Sequence, residues 1–332
     1  MNWTVLITDY AWPSIEPEKK ILEDAGAKVI IAPSTDEKTL IRLAEQSDAI
    51  LTCFAHVNSK VIESAKKCVA IGRFGVGVDN IDVAKATETG IAVTYVPDYC
   101  IDEVSDHVFA LLLSWNRKVI QLNDSVKNSG WGSMELNMRI MRLRGKTLGI
   151  IGFGRIGQSV ANKAKAFGLK VLVCDPNDNQ NLNNEIQNVS LNELLQNSDF
   201  ITLHAPSTSS THRMIGIDQF NLMKKDAFII NCARGALIDE KALYDALIQK
   251  QISGAGLDVM IENIPSSTNP LFKLENLIVT PHTAFFSQES TLELEQRGAM
   301  EVVKVMNGHM PDNLVNPEVL DHKNPRHQLT KS

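Results

Sequence analysis

The stretch Leu148-Gly149-Ile150-Ile151-Gly152-Phe153-Gly154-Arg155-Ile156-Gly157 decides the fold of this chain. A short apolar run ends in G-x-G-x-x-G, and Ile156, Val160, Ala164 and Phe167 then recur on one helical face. Strand, glycine turn and helix in that order open a dinucleotide-binding βαβ unit. Gly152 permits the tight turn, Gly154 lets backbone approach a pyrophosphate, and Gly157 lets helix and strand pack closely. The helix N-terminus adds unpaired N–H groups and a positive dipole end. The glycines alone mark many plain turns; the flanking strand and helix give them meaning here. The next strand, Lys170 to Cys174, ends at Asp175, 18 positions beyond Gly157. A carboxylate there accepts from both ribose hydroxyls and repels a 2′-phosphate. Pro176-Asn177-Asp178 follow, with no Arg nearby, so the expected cofactor is NAD.

Outward from this unit the βαβ rhythm continues in both directions. Strands are predicted at 147–151, 170–174, 199–203, 227–231, 254–258 and 277–280, with helices at 155–167, 191–197, 217–223 and 239–249. Before it, Val5–Thr8, Lys28–Ala32, Ala49–Cys53, Val69–Arg73 and Ala92–Val96 read as buried strands. Helices fit between them near 17–25, 37–46, 59–67 and 80–89. Val104, Val108, Leu111, Leu112 and Trp115 mark a long helix over 102–118, and Ser287 caps another over 288–306. Residues 121–145 read as irregular, and the Asn-rich 177–188 as a solvated loop. The expectation is two doubly wound α/β domains with parallel sheets. A Rossmann domain, 102–287, is inserted into a flavodoxin-like domain formed by 1–101 and 288–332.

Composition is compatible with this reading and excludes others. At roughly 150 residues per domain, 332 residues suit two domains, and 44% hydrophobic with 22% charged residues is the balance of a globular protein. A net charge of −6 argues against general attraction to nucleic acid or anionic membrane. The apolar run Val108–Leu113 is far short of a membrane span. The N-terminus lacks a basic, apolar leader, which points to the cytoplasm. Five scattered cysteines without a C-x-x-C pair suggest neither disulfide scaffold nor zinc site.

Further candidates lie at strand carboxyl ends, where ligands bind in such sheets. Asn231-Cys232-Ala233-Arg234-Gly235 places an Arg to clamp a carboxylate, or to form a structural ion pair. Thr280-Pro281-His282-Thr283 places a His that fits general acid/base work, or a structural role. His56, His107, His212 and His309 have no comparable context, whereas His204 also ends a strand. Arg73-Phe74-Gly75-Val76-Gly77-Val78-Asp79-Asn80 offers either an anion-holding nest or a plain turn.

Together these segments, with Val96-Pro97-Asp98-Tyr99-Cys100, Leu203-His204-Ala205-Pro206 and Gly256-Leu257-Asp258-Val259, resemble the D-isomer-specific 2-hydroxyacid dehydrogenase family. The resemblance runs from about Asp48 to Pro317. Pro97–Cys100, Pro311-Asp312-Asn313-Leu314 and Ala284-Phe285-Phe286-Ser287 are most similar to its branch of C-terminal-binding-protein and phosphoglycerate dehydrogenase-like proteins, although Phe285 stands where a Trp is common. The resemblance implies roles. Arg234 would bind the substrate carboxylate and polarise the ketone, His282 would protonate the carbonyl oxygen, and Val76 and Gly77 would offer N–H groups to the carboxylate. Gly154, Arg155 and Ile156 would touch the pyrophosphate, and Asp175 the ribose. His204, Ala205, Cys232, Ala233 and Asp258 would line the nicotinamide side. It also implies a small 2-hydroxy or 2-keto acid substrate, no metal, and a homodimer with 121–145 as a candidate arm.

One departure stands out. The family's catalytic His is paired with a Glu five positions after the Asp of Gly-Leu-Asp-Val; here that position is Asn263, and Glu262 stands one earlier. A carboxylate beside His282 favours the imidazolium, whereas an amide only orients the ring. Glu262 is therefore expected as the functional acid, through a local bulge, with Asn263 as the alternative at the counted position. A second functional reading is a dimeric NAD(H)-sensing binding protein resembling the C-terminal-binding corepressors.

Overall fold

The computed structural model describes residues 3–131, 139–177, 186–262, 264–322, 325–326 and 328–330. The chain divides into two compact units, Met1–Tyr99 with Ser287–Ser332, and Cys100–Phe286.

The first unit alternates strand and helix from its start: β1 (Trp3–Ile7), α1 (Glu16–Asp24), β2 (Ala27–Ile31), α2 (Glu37–Ala44), β3 (Ala49–Thr52), α3 (Ser59–Ser64), β4 (Ala70–Arg73), α4 (Val83–Glu88) and β5 (Ala92–Thr94). Asp36, Asn58 and Asp82 start α2, α3 and α4 by accepting first-turn N–H groups. The strands form one sheet in the order β2-β1-β3-β4-β5, with each pair parallel. This is the flavodoxin-like order.

The second unit opens with α5 (Ile101–Arg117) and α6 (Val119–Ser129), separated at Lys118, whose φ of 56° ends the first helix. It continues through β6 (Thr147–Ile151), α7 (Arg155–Ala166), β7 (Lys170–Cys174), β8 (Ile186–Asn188), α8 (Leu191–Asn197), β9 (Phe200–Leu203), α9 (Ile217–Leu222), β10 (Phe228–Asn231), α10 (Glu240–Ile248), β11 (Gly254–Leu257) and β12 (Leu277–Val279). All pairs are parallel in the order β12-β11-β10-β9-β6-β7-β8. The chain steps outward from β6 on one side and returns to β9 on the other. That reversal is the Rossmann switch point, and it opens a crevice beyond the carboxyl ends of β6 and β9.

Two differences from the sequence reading appear here. Val119–Ser129 is helical rather than irregular, and it carries no buried residue, so no core-facing stripe announced it. Within 177–188, Ile186–Asn188 pairs with β7 as an edge strand; the rest of that Asn-rich stretch, 178–185, lies outside the described residues.

The last helix, α11 (Gln288–Met306), returns to the first unit and packs against α1 and β4. The approach is close. A Cβ on Gly72 would stand 2.6 Å from Val302, and one on Gly298 would stand 2.7 Å from the Phe74 ring. Between α1 and α11 lie two buried carboxyls. Glu18 is fully buried; its Oε1 accepts from Trp12 Nε1 at 3.0 Å, and its Oε2 has no hydrogen-bond partner among the described residues. Glu295 is 5% exposed. Burial, reinforced by the Glu18 carboxylate, pushes the Glu295 carboxyl from its ordinary 4.5 up to about 7. Burial raises Glu18 as well.

The folded state therefore holds a proton that the unfolded chain releases. This contribution to stability is complete below the ordinary carboxyl value of 4.5 and is lost as pH rises through about 7. Glu295→Gln, neutral at every pH, is expected to be more stable than the parent at pH about 8, by on the order of 2 kcal/mol. The margin closes toward pH about 5. Urea melts across that range measure it, and parallel stability curves for the two proteins would refute it.

Candidate active site

The Gly-rich turn leaves β6 at the switch point. Gly152 has φ 91°, and a Cβ there would fall 2.6 Å from the His204 carbonyl carbon and 2.7 Å from Ala205 N. A Cβ on Gly157 would fall 2.4 Å from Gly152 O. These two glycines are demanded by packing. Gly154 is different: it is exposed, caps α7, and a Cβ there would meet nothing within 4 Å. Open space over the N–H groups of a helix start is what a pyrophosphate needs. The first turn of α7 contains no acidic residue and instead begins with exposed Arg155, followed by half-buried Ile156. A cation at the positive end of a helix dipole is unfavourable unless an anion joins it.

Asp175, at the end of β7, folds back on this turn. Its Oδ2 accepts Phe153 N–H at 2.6 Å and its Oδ1 accepts Asn177 N–H at 2.9 Å. Asn188 of β8 brackets the Asp175 backbone, accepting from its N–H at 3.2 Å and donating to its carbonyl at 3.1 Å. Each carboxylate oxygen has lone pairs left for ribose hydroxyls. These residues fit a dinucleotide.

At the end of β9, His204 Nε2 lies 3.0 Å from Thr202 Oγ1, and Ala205 is buried. Burial pulls the His204 ring down to about 4, so it is neutral at physiological pH. At the end of β10, buried Asn231 shapes the turn that carries Arg234. Its Oδ1 accepts Ala233 N–H at 3.0 Å, and its Nδ2 donates to Arg234 O at 2.8 Å. Arg234 Nη1 donates to Ala233 O at 2.8 Å. The Cys232 thiol is pushed well above its ordinary value by burial and the Asp258 carboxylate, so it is no nucleophile. Gly235 lies so close to the next loop that a Cβ would be 2.0 Å from the Met260 carbonyl carbon.

The loop after β12 carries His282, and Asp258 organises it. This buried residue follows β11. Its Oδ1 accepts Thr280 Oγ1–H at 2.6 Å and Thr283 N–H at 2.9 Å; its Oδ2 accepts Ala284 N–H at 2.9 Å. Its carbonyl accepts His282 N–H at 2.8 Å. His282 adopts a left-handed φ of 54° and packs edge-on against Phe285, centroids 6.3 Å apart. Sequence reading singled out neither Asn231 nor the loop-holding bonds of Asp258, because both roles run through backbone turns that no spacing reveals.

Glu262 is exposed, and the residue before it is fixed by Ile261 N–H donating to Glu240 Oε1 at 2.6 Å. Asn263 lies outside the described residues. In the first unit, Val76 and Gly77 occupy the turn after β4, and among the described residues their N–H groups donate no hydrogen bond. Arg73 is buried behind that turn, with Nε donating to Asn80 Oδ1 at 3.2 Å. Among the described residues no cluster of three or more His, Cys, Asp or Glu could hold a metal ion.

A seven-stranded Rossmann sheet, a dinucleotide turn, and an Arg and a His on locked loops at the same carboxyl edge define a dinucleotide-dependent dehydrogenase. The sequence pattern of the "D-isomer specific 2-hydroxyacid dehydrogenase, NAD binding domain" matches residues 109–284. The chain is 42% identical to D-3-phosphoglycerate dehydrogenase of Methanocaldococcus jannaschii over 94% of its length, but spans only 59% of that relative. It is 37% identical to glyoxylate reductase of Korarchaeum cryptofilum, covering 88% of this chain and 90% of the relative. The D-lactate dehydrogenase of Aquifex aeolicus, solved with NAD and lactic acid, superimposes with a TM-score of 0.86 at 29% identity, covering 94% and 98% of the two chains. The chain belongs to the D-isomer specific 2-hydroxyacid dehydrogenase family, and its dinucleotide is NAD.

The two turn glycines separate folding from binding. Gly154→Ala is expected to leave stability within about 1 kcal/mol while weakening NADH binding at least tenfold. Gly152→Ala is expected to cost about 2 kcal/mol or more, since it adds a left-handed alanine to a backbone clash. Thermal melts and NADH fluorescence titrations read both; equal stability losses would contradict the assignment.

Proposed function

We propose that this protein interconverts a small D-2-hydroxy acid and its 2-keto acid as an NAD-dependent oxidoreductase. The observation that carries this reading is the presentation of Arg234 and His282 at one sheet edge, each on a loop fixed by a buried polar residue, Asn231 or Asp258. Arg234 supplies a fixed positive fork for the substrate carboxylate and draws electron density from the adjacent carbonyl. His282 gives a proton to the carbonyl oxygen in reduction and takes it back in oxidation. Val76 and Gly77 are the backbone donors assigned to the carboxylate. Gly154, Arg155 and Ile156 are assigned to the pyrophosphate, Asp175 to the ribose, and His204, Ala205, Cys232, Ala233 and Asp258 to the nicotinamide side. When bound, NAD supplies or accepts the hydride at substrate C2.

Glu262 is the acid assigned to His282, and Asn263 is its competitor. With Glu262 as partner, Glu262→Gln costs roughly tenfold or more in kcat, whereas Asn263→Ala costs little. The reverse pattern assigns the role to Asn263.

The substrate class is tested with NADH oxidation against glyoxylate, hydroxypyruvate, pyruvate and 3-phosphohydroxypyruvate. Turnover on one or more is expected, and none at all would refute the enzyme reading. On the accepted keto acid, His282→Gln is expected to lower kcat about 10²–10⁴-fold. Arg234→Lys, which loses the bidentate fork, is expected mainly to raise KM for the keto acid. NADH affinity should hold in both variants. The reading as a non-catalytic NAD(H) sensor is not favoured, because the similar proteins are named as dehydrogenases and reductases.

The protein is further proposed to be a cytoplasmic homodimer. Among the described residues no helix is long and apolar enough to cross a membrane. α6 exposes Val119, Ile120 and Val126, beside Trp131 at 94% exposure, an apolar surface suited to a second copy of the chain. Light scattering should give twice the chain mass, and Val126→Glu should shift it toward the monomer.

A further inference from the structure

A second histidine stands behind the loop that carries His282. His107 projects from α5, its side chain 20% exposed, with Nε2 2.9 Å from Thr280 Oγ1 and 3.6 Å from Asp258 Oδ1. Nothing in its neighbouring residues marks it. Its contacts do.

The proton count sets the direction of the contacts. A threonine hydroxyl has one proton to donate. Thr280 Oγ1 lies 2.6 Å from Asp258 Oδ1, a carboxylate oxygen that also accepts Thr283 N–H. An ionised carboxylate only accepts, so the hydroxyl proton points to Asp258. The bond between Thr280 and His107 must then be donated by His107 Nε2–H into the remaining lone pairs of the hydroxyl. The chain runs from His107 to Thr280 to Asp258. Asp258 in turn holds the N–H groups of His282, Thr283 and Ala284 through its carbonyl and both carboxylate oxygens. Of the side chains in this chain, only His107 comes from a helix rather than from the loops at the strand ends.

We propose that His107 is a positioning residue for His282: its Nε2–H orients the Thr280 hydroxyl, which fixes Asp258 and with it the loop that presents the catalytic ring. The proposal rests on the reading of His282 as the proton donor. A ring displaced by a loosened loop loses the near-attack geometry on which proton transfer to the carbonyl depends.

The test uses the full chain with NADH and whichever of glyoxylate, hydroxypyruvate or pyruvate the parent reduces fastest. His107→Leu is expected to lower kcat about tenfold, with the Kd for NADH and the melting temperature close to the parent. His107→Gln, whose amide can donate to Thr280, is expected to restore most of the loss. Thr280→Val should reproduce the His107→Leu loss, and the double variant should be no worse than either single one, since both cut the same chain. Multiplicative losses in the double variant would overturn the proposal. So would an unchanged kcat in His107→Leu, or equal losses in the Leu and Gln variants with a lowered melting temperature. His282→Gln run alongside separates the two levels: if it keeps parental turnover, the proton-donor reading falls and this inference falls with it. If it is inactive while His107→Leu is unimpaired, only this inference falls.

Discussion

A buried carboxylate sets the shape of the loop that carries His282. Asp258 has 2% of its surface exposed, and an ionised group so placed costs several kcal/mol unless its oxygens are saturated with donors. The donors come from one loop: Thr280 Oγ1–H, Thr283 N–H and Ala284 N–H. They converge only if the chain reverses between Pro281 and Thr283, which puts His282 at φ 54°. A left-handed residue with a side chain costs roughly 1–2 kcal/mol. Bonds to a charged acceptor, each worth about 1.5–3 kcal/mol, outweigh that cost. The conformation of His282 is thus a consequence of solvating a charge that water does not reach.

The same device recurs at other strand ends. A parallel strand ends with N–H and C=O groups that the ladder no longer pairs. In this chain a carboxylate or amide at the strand end takes them over. Asp175 takes Phe153 N–H, and Asn231 takes Ala233 N–H while donating to Arg234 O. In the first unit, Asp9 after β1 takes the N–H groups of Cys53, Phe54 and Ala55 after β3. These loops are thereby fixed by hydrogen bonds to a side chain at a strand end.

What the sequence revealed follows from which interactions are periodic. Apart from β8, the strands of both sheets were legible because buried parallel strands read as short continuous apolar runs. The dinucleotide turn was legible because glycines at 152 and 157 are required by contacts as short as 2.6 and 2.4 Å, and such demands show as residue identity. α6 was missed because a helix with no buried residue has no stripe. β8 was missed because three residues, Ile186 to Asn188, are too few to show a period. His107 drew no attention because its partners, Asp258 and Thr280, lie more than 150 positions away in sequence and only the fold brings them together. Side-chain-to-backbone bonds, such as those of Asn231, leave no pattern at all.

Charge at the carboxyl edge of the second sheet is placed by burial as much as by residue choice. The chain carries a net charge of −6, yet Arg155 stands at the positive end of α7 and Arg234 on the turn after β10. The start of α7 disfavours a cation unless an anion joins it, because Arg155 faces the positive end of the helix dipole. His204, at the end of β9 in the same sheet, could have added a third positive charge. Burial instead pulls it down to about 4, and its Nε2 is matched to the Thr202 hydroxyl. In the proposed function His204 is assigned to the nicotinamide side; an oxidised nicotinamide is itself cationic, so a charged imidazole there would oppose binding of one redox form more than the other. Keeping His204 neutral adds no third cation beside Arg155 and Arg234, the residues assigned to phosphate and carboxylate oxygens in the proposed function.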